Sequence, residues 1–284
     1  MTAANGLKHD DNGAAHSALQ RCGVNLMAAL TLLARPARIH LRNPWPLAPQ
    51  QLAIAAGLFV LIVLLVMFVT DAAAINAVAR QPRWIIWFFD QITDFGKSGW
   101  FLWPLGIIFL AITALPTLPR LPRLVLTSIA VRAGFLFVAI GAPSLFDTII
   151  KRMIGRGRPL VTGVADPFVF APFKWSAAYA SLPSGHTTTA FAALVAFGTL
   201  WPRARIIMWI YALLIAVSRV VVTAHYPSDV LAGAVVGVVG ALLVRRYFAL
   251  RRLGFSIGPD GAVQQYPGPS LKRIKSVAQK LLAQ

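Results

Sequence analysis

Two histidines of this sequence stand in polar clusters that border long apolar runs. His186 ends the tetrapeptide PSGH at 183–186, and His225 precedes Asp229 by four residues. Near the start of a helix this spacing lets a carboxylate hold one imidazole nitrogen while the other nitrogen faces a substrate. Polar groups at a membrane edge are costly to hold and are rarely without a role. Both histidines are therefore candidates for acid–base or nucleophilic chemistry.

Cations and a helix start beside these histidines could bind a phosphate. Residues 151–159 read KRMIGRGRP, which predicts a flexible basic arm with four cations in eight residues. Ser184 is a good helix N-cap, and Gly185 lets a ligand approach the backbone N–H groups at the helix start. Taken singly, the basic stretch could equally be a snorkelling interfacial cluster, and PSGH could be an ordinary cap.

The composition indicates a membrane protein. Of 284 residues, 57% are hydrophobic and only 13% charged, and the mean hydropathy is +0.68, which argues against a soluble globular protein. Apolar runs of about 20 residues match a hydrocarbon core of roughly 30 Å. The expected fold class is all-α, a polytopic membrane protein with six transmembrane helices. The predicted spans are 52–70, 99–115, 124–147, 184–201, 206–224 and 228–248.

These spans divide the chain into three parts. Residues 51–250 form the six-span domain, residues 1–50 an amino-terminal tail with an interfacial segment, and residues 251–284 a basic carboxyl-terminal tail. An amphipathic helix at 83–97 is expected in the headgroup layer. The last 14 residues either lie on an anionic leaflet as an amphipathic helix or form a solvated tail.

The charge distribution predicts the orientation and excludes some partners. If the amino terminus is inside, 17 of the 27 Lys and Arg lie in the inner segments or, as Arg245 and Arg246, at the inner end of the last span, and eight lie outside, so both termini are expected in the cytoplasm. Because the cations gather at span ends, no nucleic-acid partner is expected. Cys22 is the only cysteine, which excludes an internal disulfide and a cysteine metal site. The chain from 184 to 224 crosses the membrane twice, so both candidate histidines reach the same external face.

Taken together, the polar clusters resemble a known family. The type 2 phosphatidic acid phosphatases share the patterns Lys-x6-Arg-Pro, Pro-Ser-Gly-His and Ser-Arg-x5-His-x3-Asp. This chain fills every fixed position, in order, with Lys151, Arg158, Pro159, Pro183, Ser184, Gly185, His186, Ser218, Arg219, His225 and Asp229. The resemblance covers the motif block at 151–229 and the spans around it, but neither tail.

The resemblance implies a role for each motif residue. His225 would be the nucleophile that forms a phosphohistidine, Asp229 would orient it, and His186 would protonate the leaving oxygen as general acid. The phosphate-binding residues would be Lys151, Arg158, Ser184, Gly185 and Arg219. Three fixed cations could replace a metal, so neither a metal nor another cofactor is expected.

The implied function is hydrolysis of a lipid phosphate at the outer face of a bacterial-type inner membrane. Family members act on phosphatidic acid, phosphatidylglycerol phosphate, polyprenyl diphosphate or lipid A, and the motifs do not choose among them. A phosphotransferase would use the same histidines, while a lipid-phosphate transporter would leave His225 and Asp229 unexplained. Partners are expected to be the substrate and membrane lipids.

Arg132, within the third span, is expected to be structural, and Asp147 is expected to pair with Lys151.

Overall fold

The computed structural model describes residues 6–39, 47–115 and 119–282, and the chain there is mainly helical. Apolar segments in lipid must satisfy their backbone hydrogen bonds internally, which favours helices. The described helices are α1 (Gly6–Ala34), α2 (Pro49–Val66), α3 (Ala72–Val78), α4 (Arg83–Thr93), α5 (Gly99–Ala114), α6 (Arg120–Ile154), α7 (Gly185–Leu200), α8 (Arg205–Val221), α9 (Pro227–Leu250) and α10 (Leu271–Leu282). A π-helical turn, Met67–Asp71, joins α2 to α3.

The all-α polytopic fold is confirmed, and each predicted span falls on a helix. Within the described residues, five helical segments are long and apolar enough to cross a membrane. They are Pro49–Val78, Arg83–Ala114, Arg120–Ile154, Pro202–Val221 and Pro227–Leu250. The fourth predicted span coincides with α7, which has 16 residues and is mostly buried. The count of six spans therefore stays a prediction.

The structure shows the local conformation of two predicted segments outside the spans. The amphipathic segment at 83–97 is α4 followed by a 3-10 turn, Asp94–Gly96. The interfacial segment expected in the amino-terminal tail falls at residues 24–34, which form the end of the longer helix α1. Of the regions outside the spans, residues 1–5, 40–46, 116–118 and 283–284 lie outside the described part of the chain.

The chain forms two compact units, of which the first comprises Met1–Ile39, Trp103–Phe137 and Arg246–Gln284. Here Arg132 donates hydrogen bonds to the carbonyls of Ser128 (3.0 Å) and Tyr266 (2.8 Å). Arg132 thus ties α6 to the segment after a short hairpin of β1 (Phe255–Ile257) and β2 (Val263–Gln265), a structural contact of the kind expected. Val277 of α10 is buried in the same unit.

The second unit, His40–Leu102 and Val138–Arg245, contains every motif residue. Helix α9 carries glycines where it meets α7: a Cβ added to Gly233 would lie 2.5 Å from the Ser184 carbonyl oxygen, and one at Gly237 would lie 2.9 Å from the Ala192 nitrogen. Small residues let membrane helices approach at backbone distance. This contact brings the start of α7 against the start of α9, where the polar clusters stand.

Candidate active site

His225 and Asp229 flank the start of α9 and are buried. His225 follows α8, and its Nδ1 lies 3.7 Å from Asp229 Oδ2, which is longer than a hydrogen bond. Within the described chain, His225 Nδ1 has no hydrogen-bond partner. The Asp229 oxygens instead accept from Ser181 Oγ (2.6 Å), the Tyr226 N–H (2.9 Å) and Arg156 Nη1 (2.5 Å). Asp229 is thus beside His225, as its expected role requires, without the expected direct hydrogen bond.

The surroundings of His225 keep its imidazole neutral. Burial lowers the pKa of His225 to about 4, and the nearby Asp229 carboxylate only partly offsets this effect. The positive charges of Arg219 and Arg158 act in the same direction as burial. A neutral imidazole at pH 7 has a free lone pair, as a nucleophile or base requires.

The start of α7 carries the PSGH cluster and contacts the cluster that contains Asp229. Ser184 occupies the N-cap position, yet its hydroxyl makes no capping bond to the helix backbone and accepts from Thr187 Oγ1 at 3.1 Å. The Ser184 N–H donates to the Asp229 carbonyl at 3.0 Å. The first turn of α7 therefore lacks a side-chain cap, and its N–H groups and dipole favour an anion there.

Lys151 approaches this helix start from α6. Its ammonium forms the expected ion pair with Asp147, which is 1% exposed and also accepts from Thr188 Oγ1 at 3.2 Å. A Cβ built on Gly185 would lie 2.9 Å from Lys151 Nζ. The absence of a side chain at Gly185 thus leaves room for this ammonium beside the backbone of α7.

Two arginines complete the positive side of the site. Arg219, near the end of α8, is 6% exposed and donates from Nη1 to Thr93 Oγ1 of α4. In the described residues, the Nε atoms of Arg219 and Arg158 are both buried without a hydrogen-bond partner. Burial also lowers the pKa of Arg158 from its usual value, partly offset by Asp229. Buried guanidinium donors that lack acceptors suit an anionic ligand.

The basic stretch is not the flexible arm that its glycines suggested. Gly155 has a φ of +64°, and a Cβ there would overlap the Ala171 carbonyl, so this position requires glycine. Ala171 N–H donates to the Gly155 carbonyl and Gly157 N–H to the Val169 carbonyl, both at 2.8 Å. Backbone pairing therefore fixes the loop that carries Arg158.

The sequence analysis missed several buried polar residues around the motifs. Asp71, Arg156 and Ser228 form one hydrogen-bonded cluster with Asp229, and Thr93 contacts Arg219. The available signal was Asp71 itself, an acidic residue at the end of an apolar span without a local counter-ion. Arg156 was noted only as one cation of the basic stretch, and no spacing rule links these two residues.

Helix α4 also contributes to the site. A Cβ on Gly96 would lie 2.9 Å from His186 Cδ2 and 2.9 Å from Ile215 Cγ2. The turn after α4 therefore packs directly against the His186 ring, and only glycine fits there without displacement. The predicted interfacial helix thus supports a candidate catalytic residue.

The donor set of the site suits a phosphoryl group. No group of three or more His, Cys or acidic side chains with metal-binding geometry occurs in the part of the chain that is described. Lys151 instead lies beside the start of α7, and the positive charges of Arg219 and Arg158 act on His225. Such a cluster can bind a phosphoryl group and stabilise the charge on its oxygens during transfer.

Comparisons with known proteins give one family match and several relatives. The model of the PAP2 superfamily matches residues 132–253. A lipid A 1-phosphatase of Rhizobium johnstonii is 35% identical over 174 residues, which are 61% of this chain and 71% of that protein. A lipid A 1-phosphatase of Rhizobium etli is 41% identical over 127 residues, 45% of this chain and 55% of that protein.

Two solved structures are also similar. One is a transmembrane PAP2 type phosphatidylglycerolphosphate phosphatase from Bacillus subtilis, with a TM-score of 0.47, 23% identity, and coverage of 66% of this chain and 92% of that one. The other is LpxE of Aquifex aeolicus, with a TM-score of 0.44, 20% identity, and coverage of 61% and 93%.

Proposed function

Because the chain belongs to the PAP2 superfamily, we propose that it hydrolyses a lipid phosphate through a phosphohistidine formed on His225. The chain is a membrane lipid phosphatase of PAP2 type, as its family and its lipid A 1-phosphatase relatives indicate. The observation that carries the proposed mechanism is the neutral, buried His225 beside a carboxylate and two cations.

In the first half of the reaction, His225 Nε2 attacks phosphorus. An N–P bond forms, the bond from phosphorus to the lipid oxygen breaks, and His186 gives a proton to that oxygen. Asp229 lies beside the other nitrogen of His225 and stabilises the positive charge that the ring acquires. His186 must therefore begin protonated, whereas His225 must begin neutral.

In the second half, water replaces the histidine on phosphorus. His186, now neutral, accepts a proton from the water as its oxygen attacks, and the N–P bond breaks with its electrons returning to His225. Phosphate leaves and the enzyme regains its starting protonation state. An acceptor lipid in place of water would make the protein a phosphotransferase.

Lys151, Arg158 and Arg219 hold the three equatorial oxygens of the transferring phosphoryl group, with Ser184 and the Gly185 N–H. The buried Nε atoms of the two arginines, which have no hydrogen-bond partner among the described residues, support this role, as does Lys151 Nζ beside Gly185. Fixed cations stabilise the transition state without the cost of reorienting solvent. Activity should therefore persist when divalent metals are removed.

The loop between α6 and α7 favours an amphiphilic substrate over a soluble phosphate ester. Six large apolar side chains of this loop are exposed: Leu160, Val164, Phe168, Phe170, Phe173 and Trp175. Phe168 packs on Phe68, itself an exposed residue of the first span, at a centroid distance of 4.6 Å. An apolar rim continuous with a membrane-facing surface fits a substrate whose phosphate lies at headgroup depth.

Among lipid phosphates, we propose the glycolipid phosphate of lipid A as the substrate. The names of the two relatives at 35% and 41% identity support this choice. The phosphate-binding residues contact phosphate alone, so selection must come from surfaces around them. Phosphatidic acid, phosphatidylglycerol phosphate and polyprenyl diphosphate are the competing substrates to compare.

The test is release of inorganic phosphate by the purified protein in detergent with EDTA. Lipid A should be hydrolysed in chelator, and faster than the three competing lipids. His225→Ala should abolish release, whereas His16→Ala, the same change outside the motifs, should leave the rate unchanged.

Two results would count against the proposal. Failure of folded wild-type protein to release phosphate from any of the four lipids would remove the phosphatase function and leave transfer or transport. Hydrolysis that prefers another lipid would keep the mechanism but overturn the choice of lipid A.

A further inference from the structure

We propose that Asp71 and Arg156 are positioning residues that hold Asp229 beside His225 and supply negative charge to the reaction. This inference rests on the proposed function, because it assigns these residues to the same reaction. Neither residue occupies a fixed position of the three sequence motifs. Both are 0% exposed; Asp71 ends the π-helical turn between α2 and α3, and Arg156 lies in the loop after α6.

Arg156 is held by a nearly complete set of acceptors. Its Nη1 donates to Asp229 Oδ1 (2.5 Å) and Ser228 Oγ (2.7 Å), its Nη2 to Asp71 Oδ2 (2.7 Å), and its Nε to the Pro167 carbonyl (3.0 Å). The Tyr226 ring lies 4.6 Å from the guanidinium carbon. A planar guanidinium with this many fixed contacts can orient a carboxylate, whereas the ammonium of a flexible lysine side chain cannot.

Asp71 binds the other terminal nitrogen of the Arg156 guanidinium, Nη2. Its Oδ2 accepts from Arg156 and from Ser228 Oγ (2.5 Å), and its Oδ1 accepts from the Ser228 N–H (3.0 Å). Ser228 is the residue immediately before Asp229. Asp71 therefore fixes both the guanidinium that binds Asp229 and the backbone that carries it.

As a result, both oxygens of the Asp229 carboxylate are held by hydrogen bonds. Arg156 binds Asp229 Oδ1, while Ser181 and the Tyr226 N–H bind Oδ2, the oxygen 3.7 Å from His225 Nδ1. Without the contact from Arg156, the carboxylate could turn away from the imidazole. Displacements of about 1 Å near a reacting group can cost a hundredfold in rate.

The charges of the cluster also favour the reaction. Two buried carboxylates share one guanidinium, which leaves one excess negative charge next to His225. The imidazole becomes positive as its other nitrogen bonds phosphorus, and Arg219 and Arg158 face the same ring with opposing positive charge. Asp71 thus offsets part of the repulsion that the phosphate-binding cations impose on the phosphorylated ring.

The experiment compares kcat and KM for lipid A in Asp71→Asn, Arg156→Gln, Arg156→Lys and Ser228→Ala, with the folded fraction measured by size-exclusion chromatography. Asp71→Asn should lower kcat by about tenfold or more with KM changed less than about threefold. Arg156→Lys should recover part of the kcat that Arg156→Gln loses. Ser228→Ala, which keeps all three charged groups, is the milder variant and should lower kcat several-fold. Asp260→Asn removes an exposed carboxylate from the turn between β1 and β2 and should stay within twofold of the wild type.

The outcomes separate this inference from the proposed function. An inactive wild type would remove the phosphatase function itself. A wild type that is active and sensitive to His225→Ala, together with folded Asp71→Asn and Ser228→Ala proteins of unchanged kcat, would overturn the positioning role. Loss confined to stability or to KM would likewise show that the cluster is only structural.

Discussion

At the scale of single residues, the opposed protonation states of the two histidines predict a bell-shaped pH dependence of kcat/KM. His225 must be neutral, and because burial lowers its pKa to about 4, the rate should hold as the pH falls below 6.5 and decline only towards that lower value. His186 must be protonated, so the rate should also fall at high pH. In His186→Ala the high-pH decline should disappear while the acidic decline remains.

This comparison assigns the decline of kcat/KM at low pH to His225 and the decline at high pH to His186. The substrate's second phosphate ionisation, near pH 6, is common to both proteins and therefore does not alter the difference between them. Loss of the acidic limb in His186→Ala would mean that the two histidines exchange roles. If kcat/KM already declines at or above pH 6.5 as the pH is lowered, and the decline belongs to the enzyme, His225 is not held neutral by its surroundings.

At the scale of elements, the contact between α9 and α7 predicts that Gly233 cannot be enlarged. The Cβ of Gly233→Ala would meet the Ser184 backbone, so α9 or the start of α7 must move. We expect the free energy of unfolding to fall by about 1–3 kcal/mol and kcat to fall about tenfold. Thermal unfolding in detergent and phosphate release measure the two effects.

Gly57→Ala in α2 is the matched control, because no atom of the described residues lies within 4 Å of the Cβ position at Gly57. Alanine favours helices over glycine by about 1 kcal/mol, so this variant should be as stable as the wild type or slightly more so, and equally active. Equal stability and activity of the Gly233 and Gly57 variants would show that the α9–α7 contact does not position Ser184.

The elements show what sequence could and could not predict. Apolar run length located every described span helix, because span length follows from bilayer thickness. Contacts within one helix, such as the ion pair of Asp147 with Lys151, can be predicted from helical spacing. The contact of Asp71 with Arg156 cannot be predicted in this way, because the two positions are 85 residues apart and only the packing of the helices brings them together. The closed loop at Gly155 was missed for the same reason, since its partners follow in the chain at 169–171.

At the scale of the whole molecule, the cation distribution predicts both termini in the cytoplasm and the site on the external face. In a Cys22→Ser background, Lys174→Cys should react with a membrane-impermeant maleimide in intact spheroplasts. Lys280→Cys should react only after the inner membrane is permeabilised. Labelling of both positions from outside would contradict the three crossings expected between them, and the reverse pattern would invert the orientation.

The most direct test of the account is to trap the phosphoenzyme. Wild-type protein is mixed with ³²P-labelled lipid A phosphate and quenched in alkaline detergent within one turnover. The account predicts protein-bound label that survives alkali, is released by acid, maps to His225 and is missing in His225→Ala. Label that alkali removes, as from an aspartyl phosphate, or label that persists in His225→Ala would contradict it.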